Sequence, residues 1–290
     1  MSTVSITDPA ATTERAQPRK AHWYRQPALM TGLVIIAIIL FLVIGAPLLT
    51  SWNPDTQDLN ATLAGFGGHH LLGTDQEGRD VFSRLLYGGR VDLQVAFIAV
   101  LFPFVLGTIL GSVAGYFGGW VDIIIMRLVD IVVAFPFFVL IIALVFVLGP
   151  GERSIYIAIT LVGWVSYARI IRGEILVAKR QEYVLAAQSG GLSNLRIMGR
   201  HLLPNVITQA IIYAMSDIVQ DILAIVTLSY LGLGIQPPTP DWGTMISNGQ
   251  NFLTTHWQLT TIPGLAVVVV GLGLSLIGDG LADVLRPGQS

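Results

Sequence analysis

Cysteine is absent from this chain of 290 residues, and charged residues make up only 12% of it. The absence of cysteine excludes disulfides, thiolate metal sites and a cysteine nucleophile. A soluble domain usually carries about 25% charged residues, so the chain lacks the polar surface that water-exposed proteins need. The net charge of −2 excludes the basic surface typical of nucleic-acid-binding domains, and no nucleic-acid partner is expected.

Motifs of common enzymes are missing as well. The glycines between Gly65 and Gly68 are not followed by the Lys-Ser/Thr of a phosphate-binding loop, so we expect no ATP site here. Neither the Gly-x-Ser-x-Gly turn of hydrolases nor the His-Glu-x-x-His helix of metalloproteases occurs. Only His69 and His70 are adjacent among the five histidines, and they predict no metal site. The chain is therefore expected to catalyse no reaction and to hold no cofactor.

Apolar residues are abundant: 53% of the chain is hydrophobic, and the mean hydropathy is +0.70. A membrane-spanning helix needs about 20 predominantly apolar residues. The candidate stretches are Leu29–Leu49, Leu93–Tyr116, Ile123–Leu148, Ile155–Ile171, Val206–Leu233 and Leu259–Ile277. The sequence therefore predicts an all-α integral membrane protein with six transmembrane helices.

These stretches divide the chain into four parts. Residues 1–28 form a polar tail, and residues 29–92 hold the first transmembrane helix and an outer segment. Residues 93–287 hold a core of five helices, and residues 288–290 are a C-terminal tail. The first apolar stretch is long enough to span the membrane and has no small-residue cleavage site. We therefore predict a retained anchor and not a cleaved signal peptide.

The distribution of lysine and arginine predicts the orientation, because cytoplasmic loops carry an excess of both. With the N-terminus inside, only Arg79, Arg84, Arg90 and Arg153 of the 16 basic residues lie outside. The opposite orientation would reverse this bias. Both termini are therefore predicted to be cytoplasmic.

The segment between the fourth and fifth stretches, residues 172–204, is here called the inner loop. It contains few helix breakers, and Gly190-Gly191 allows a sharp turn between two short helices. Ser193 is placed to cap the second helix, and Pro204 to begin the next one. Such a helix–turn–helix would present a compact knob to a soluble partner. The alternative is an amphipathic surface helix without a partner.

The inner loop resembles a family pattern. Inner-membrane permeases of binding-protein-dependent ABC importers carry Glu-Ala-Ala, three residues, Gly, nine residues, Ile, any residue and Leu-Pro in this loop. Leu185 stands here in place of the Glu, for which Glu182 is the neighbouring carboxylate, and His201 stands in place of the Ile. The residues that the resemblance assigns to ATPase coupling are Glu182, Ala186, Ala187, Gly191, His201, Leu203 and Pro204.

The resemblance extends from about residue 29 to residue 287. Residues 70–90, 114–119, 228–243 and 278–283 are similar to the dipeptide, oligopeptide and nickel permease branch, and the whole looks like the second of its two paired permeases. The resemblance implies a type I importer permease fold in a bacterial inner membrane, surrounded by lipid. It also implies a second permease, two ATPase subunits that bind ATP and Mg²⁺, and an external substrate-binding protein. The cargo remains open among dipeptides, longer peptides, glutathione-like conjugates and nickel chelates.

Charged residues within the predicted spans are candidate functional residues, because such charges are costly and usually face a cavity or a partner. Asp217 and Asp221 are four residues apart and share one helix face. Two roles are open for them: lining the translocation pathway, or pairing with a partner helix or with Arg127. Arg127 and Asp130, three residues apart, are predicted to pair with each other.

Gly107, Gly111 and Gly115 recur at every fourth residue of the second stretch, which allows another helix to approach closely. That helix is predicted to belong to this chain or to the second permease.

The rival interpretation is a stand-alone, ion-coupled transporter that uses Asp130, Asp217 and Asp221 as proton or cation sites. Broken helices at matching positions of the two halves would favour it. A structured inner loop favours the importer permease.

Overall fold

The computed structural model describes residues 26–67 and 69–285, and within these residues the regular structure is helical. The α-helices are α1 (Pro27–Ile44), α2 (Ala46–Leu49), α3 (Val81–Phe117), α4 (Gly119–Val133), α5 (Phe137–Leu148), α6 (Glu152–Ala178), α7 (Glu182–Ser189), α8 (Asn194–Arg196), α9 (Leu203–Tyr230), α10 (Trp242–Gly249) and α11 (Gln258–Leu285). A π-helix, Ile197–Leu202, joins α8 to α9, and a 3₁₀ turn, Gln250–Phe252, follows α10.

Five of the six predicted spans correspond to helices that are long and apolar enough to cross a membrane: α1, α3, α6, α9 and α11. The helices α3, α6 and α11 exceed the predicted bounds at both ends, whereas α1 ends at Ile44 and α9 at Tyr230, before the predicted Leu49 and Leu233. The longest is α3, whose 37 residues reach about 55 Å, well beyond a hydrocarbon core of about 30 Å. Its first turn is capped by Asp80, whose carboxylate accepts a hydrogen bond from the Ser83 N–H at 2.7 Å.

The third predicted span is not one straight helix. It is divided into α4 and α5, which are bent by 88° relative to each other. Pro136 occupies the N-cap of α5, and proline disfavours helical backbone in the residue before it, here Phe135. The predicted span Ile123–Leu148 is therefore broken at Pro136, and the bent pair together can make up the sixth span.

The α3–α6 pair forms the centre of the bundle, and the glycines of α3 explain its closeness. A Cβ at Gly111 would lie 2.5 Å from the Ala168 carbonyl oxygen, and one at Gly107 would overlap the carbonyl of Trp164. A Cβ at Gly115 would meet the backbone of Arg172 at 3.0 Å. The helix that these glycines admit is therefore α6 of the same chain, in accordance with the first of the two predicted partners.

The segment after α9 folds back over the bundle as the predicted short helix, α10. Its first N–H, that of Trp242, donates to the fully buried Asp92 carboxylate of α3 at 2.9 Å. Asp241 caps the same helix by accepting from the Thr244 N–H at 2.9 Å. These contacts hold α10 against α3, and the remaining long helix, α11, packs on α1, α9 and α10.

Candidate functional site

The inner loop is ordered and begins within α6, whose helix continues through Arg172 to Ala178. The predicted turn is present: Gly191 has a φ of +73°, a conformation that favours glycine, between α7 and α8. Pro204 lies in the first turn of α9, as predicted. Ser193 does occupy the N-cap of α8, but its side chain makes no capping hydrogen bond, so that part of the prediction is wrong. The backbone N–H of Ile197 bonds to the Ser193 carbonyl instead.

The inner loop has an anchored face and an exposed face. Val184, Ile197 and Leu202 are fully buried in a cluster with residues of the C-terminal half of α6 and the N-terminal half of α9. The other face exposes large apolar side chains: Tyr183 is 42% exposed, Leu185 49% and Leu195 73%. An exposed apolar surface of this kind is typical of a protein-interaction or membrane-interaction site.

The family-pattern residues lie around this exposed surface. Glu182, Ala186, Gly191 and Pro204 are exposed, and the remaining three, Ala187, His201 and Leu203, are half-buried. The seven residues share one segment, on which the small residues Ala186 and Gly191 are exposed.

Three side-chain contacts tie the inner loop and the end of α6 to α3 and α4. The Tyr116 hydroxyl donates to Asn194 Oδ1 at 2.9 Å, and Lys179 Nζ donates to the Gly115 carbonyl at 2.8 Å. Arg172 donates two hydrogen bonds to the Asp122 carboxylate, and the bond from Nη2 to Oδ2 is 2.7 Å long. Sequence reasoning missed all three, because the partners are 50 to 78 residues apart and no local pattern links them.

Asp217 and Asp221 are buried inside the chain, at 5% and 1% exposure. The Tyr167 hydroxyl donates to Asp217 Oδ2 at 2.7 Å, and the Tyr213 ring stands edge-on to Tyr167 at 5.0 Å. Among the described residues, one oxygen of Asp221 has no hydrogen-bond partner. This burial favours the structural role over direct lining of a pathway. The partner is Tyr167 of α6 and not the predicted Arg127, which is exposed on α4.

The predicted pair of Arg127 and Asp130 is wrong. Asp130 faces Arg169 of α6 instead, with Nη2 and Oδ1 3.8 Å apart. The packing of α4 beside α6 brings these two together, whereas no ion pair in the described ranges joins Arg127 to Asp130. Both paired side chains are more than half exposed, at 61% for Asp130 and 54% for Arg169. The pair therefore lies on an open face of the chain.

A polar pocket of about 510 Å³ lies on α6 and α9 next to this pair. Its polar lining is Arg169, Glu174, Gln209, Tyr213 and Ser216. We call it the α6–α9 pocket. Within residues 26–67 and 69–285, no three His, Asp or Glu side chains cluster in a way that could hold a metal ion.

Two family models match this chain. The model described as "Binding-protein-dependent transport system inner membrane component" matches residues 107–290, and the model described as "N-terminal TM domain of oligopeptide transport permease C" matches residues 22–65. The first covers more than half of the chain and includes α6, the inner loop and α9.

Curated relatives extend the match. The "Dipeptide transport system permease protein DppC" of Alkalihalophilus pseudofirmus is 40% identical over 258 residues, which cover 89% of this chain and 85% of that protein. The "Probable D,D-dipeptide transport system permease protein DdpC" of Escherichia coli is 37% identical over 261 residues, covering 90% and 88%.

Among solved structures, the inward-facing MetNI methionine ABC transporter contains a chain that superposes with a TM-score of 0.55. The match covers 70% of this chain and 97% of that one at 17% identity, which supports a shared fold.

Proposed function

This chain belongs to the family of binding-protein-dependent transport system inner membrane components, and we propose that it couples peptide transport to partner ATPases through its inner loop. It is a permease subunit of an ABC importer, and ATP hydrolysis belongs to other subunits. The observation that carries the proposal is the exposed apolar surface of the inner loop, on a segment whose opposite face is locked into the bundle.

The inner loop is suited to carry motion as a rigid body. Its buried residues fix it to α6 and α9, while the glycine turn at Gly191 sets the angle between α7 and α8. The small side chains of Ala186 and Gly191 would let an ATPase groove approach the backbone closely. Leu185, in place of the usual Glu, would add apolar contact instead of charge. An ATPase seated here could therefore pull directly on two spans.

The proposed cycle alternates between two states. Closure of the ATPase pair on ATP would draw the inner loops of the two permeases together and tip the spans to face outward. Hydrolysis would release them to face inward. Such a switch requires that ATP and cargo bind the two states with different affinities. The basic residues around the inner loop support its placement in the cytoplasm, with the external binding protein delivering cargo on the other side.

The proposed cargo is a di- or oligopeptide, which is carried over from the names of the relatives. The proposed location is the inner membrane of a bacterium, with a second permease beside this chain.

The ion-coupled alternative receives less support. Only one bent helix pair, α4 and α5, occurs in the described residues, and no matching break accompanies it there.

Reconstitution of the complete importer into proteoliposomes tests this function. The chain would be combined with its candidate second permease, ATPases and binding protein, and uptake of a radiolabelled dipeptide would be followed. Uptake that needs ATP, stops with vanadate and is insensitive to a proton ionophore supports the proposal. Uptake by the chain alone that follows a proton gradient would contradict it in favour of the ion-coupled transporter.

A further inference from the structure

A row of polar side chains runs along one face of α9. Gln209, Tyr213, Ser216 and Gln220 follow a spacing of four, three and four residues, which places them within an arc of about 60° on an α-helix. Ser216 and Gln220 are exposed, and Gln209 and Tyr213 are half-buried. The row lies in the middle of a helix that is long and apolar enough to span the membrane.

Such a row is costly against lipid, because the bilayer core offers no hydrogen-bond partners to the carboxamide of Gln220 or the hydroxyl of Ser216. The neighbouring part of α6 adds charge to the same region, because Arg169 and Glu174 line the α6–α9 pocket. Charged and polar residues within spans normally face a water-filled cavity or a protein partner. This face is therefore turned towards water, cargo or a partner subunit, and not towards lipid.

The α6–α9 pocket has the size and the charges of a small-ligand site. Its volume of about 510 Å³ falls within the range of roughly 300–1,000 Å³ for such sites. Arg169 supplies a cation, and Glu174 supplies an anion five residues further along α6. The Glu174 side chain is half-buried where it lines the pocket. Gly173 lies between them on α6, where even an added Cβ would meet nothing within 4 Å.

We propose that the α6–α9 pocket is a transit site for a short peptide with free termini. Arg169 would meet the terminal carboxylate, Glu174 the terminal ammonium, and Gln209 and Ser216 the peptide bond between them. The inference rests on the proposed function, because cargo reaches this face only if the chain lines an importer's pathway. It names the residues of this chain that would bind the two termini of the peptide, which the family alone does not.

The buried aspartate behind the pocket acts as a positioning residue in this proposal. Tyr213 forms part of the pocket wall and lies beside the Asp217 carboxyl. Asp217 also holds the Tyr167 hydroxyl, and the Tyr167 ring packs edge-on against Tyr213. Asp217 would thus hold Tyr213 in position in the pocket wall without contacting the cargo itself.

Because the chain has no cysteine, a single introduced thiol can report on the pocket. The complete importer carrying Ser216→Cys would be placed in nanodiscs, and the rate of labelling by a charged, water-soluble thiol reagent would be measured. Thr254→Cys, exposed in the loop between α10 and α11, is the control for reactivity without a pocket. Ile211→Cys, exposed on the opposite face of α9, is the control for a lipid-facing position.

We expect Ser216→Cys to be labelled readily and a dipeptide with free termini to slow that labelling, while the labelling of Thr254→Cys stays constant. N-acetylated and C-amidated dipeptides should protect about tenfold more weakly or worse, since each lacks one charge-assisted contact. In an Arg169→Gln background the free and the C-amidated dipeptides should protect equally. In a Glu174→Gln background the free and the N-acetylated dipeptides should protect equally.

Three results would overturn the inference. The first is a Ser216→Cys thiol that is as unreactive as Ile211→Cys. The second is equal protection of that thiol by free, N-acetylated and C-amidated dipeptides. The third is protection that appears only in nanodiscs with phosphatidylethanolamine and does not depend on peptide, since that lipid also carries an ammonium beside an anion. If any of these accompanies intact ATP-driven uptake, the pocket assignment fails while the proposed function stands.

Discussion

The Tyr116 hydroxyl donates a hydrogen bond to Asn194 Oδ1 at 2.9 Å, which joins the last turn of α3 to α8 of the inner loop across 78 residues. The Lys179 ammonium reaches the carbonyl of the neighbouring Gly115 at 2.8 Å. These two contacts tie the inner loop and the end of α6 to α3. In the proposed cycle α3, α6 and α9 would therefore respond to the ATPases as one unit.

Removal of the Tyr116 hydroxyl should weaken coupling without preventing assembly. In Tyr116→Phe one hydrogen bond of about 0.5–1.5 kcal/mol is lost, so we expect peptide transported per ATP hydrolysed to fall by roughly two- to tenfold. Uptake and ATP hydrolysis would be measured together in proteoliposomes. Tyr230→Phe is the matched control, because its hydroxyl bonds to Gln250 at 2.6 Å at the far end of α9. An unchanged ratio in Tyr116→Phe would show that this contact carries no coupling.

The close contact of α3 and α6 makes a strong prediction for Gly111→Ala. The new methyl would lie 2.5 Å from the Ala168 carbonyl oxygen, so the two helices must separate, at a cost of about 1–3 kcal/mol. We expect a lower midpoint of thermal unfolding in detergent. Gly264→Ala in α11 is the control, since a Cβ there meets nothing within 4 Å and alanine favours helix. Equal midpoints for the two variants would refute the packing assignment.

The Asp241 carboxyl predicts a dependence of stability on pH. Burial raises its pKa, and the Asp92 carboxyl and the Arg84 guanidinium face it from α3. A group whose pKa is raised on folding stabilises the folded state below its unfolded pKa of about 4, and that contribution is lost as pH rises through the folded pKa. Stability of the wild-type chain should therefore decline from acid towards neutral pH.

Asp241→Asn should flatten that decline, because asparagine still caps α10 and cannot ionise. Thermal unfolding at a series of pH values would compare the variant with wild type. At neutral pH the variant should be at least as stable as the wild type. A variant that is less stable at every pH, with an unchanged slope, would mean that the buried charge is favourable where it is.

Most of the spans could be predicted from the sequence, because a run of about 20 apolar residues has few alternatives to a membrane helix. The break between α4 and α5 was harder to predict. Pro136 is visible in the sequence, but proline also occurs within an unbroken helix, as Pro103 does in α3. The tertiary packing of each segment decides between the two outcomes.

The candidate site was predictable only where it is local. The turn at Gly191 follows from backbone preference, and the inner loop from its pattern. The pairing of Asp130 with Arg169 could not be predicted from the sequence, because it depends on how α4 packs beside α6. A spacing of three residues suggested Arg127 for Asp130, but side chains on a bundle surface also meet neighbours from other helices. The polar row on α9 could have been predicted from its helical spacing. The sequence analysis instead selected Asp217 and Asp221 on the same helix, because charged residues are the stronger signal within a span.

Co-purification of the ATPase subunits with this chain tests the central claim most directly. Wild type, Gly191→Pro and Gly199→Ala would be compared at equal membrane levels; a Cβ at Gly199 meets nothing within 4 Å, and Gly199 has no positive φ. Proline holds φ near −65°, whereas Gly191 needs +73°. We predict that wild type and Gly199→Ala retain the ATPases and that Gly191→Pro loses them. Retention by Gly191→Pro, or no ATPase on the wild type, would contradict coupling through the inner loop.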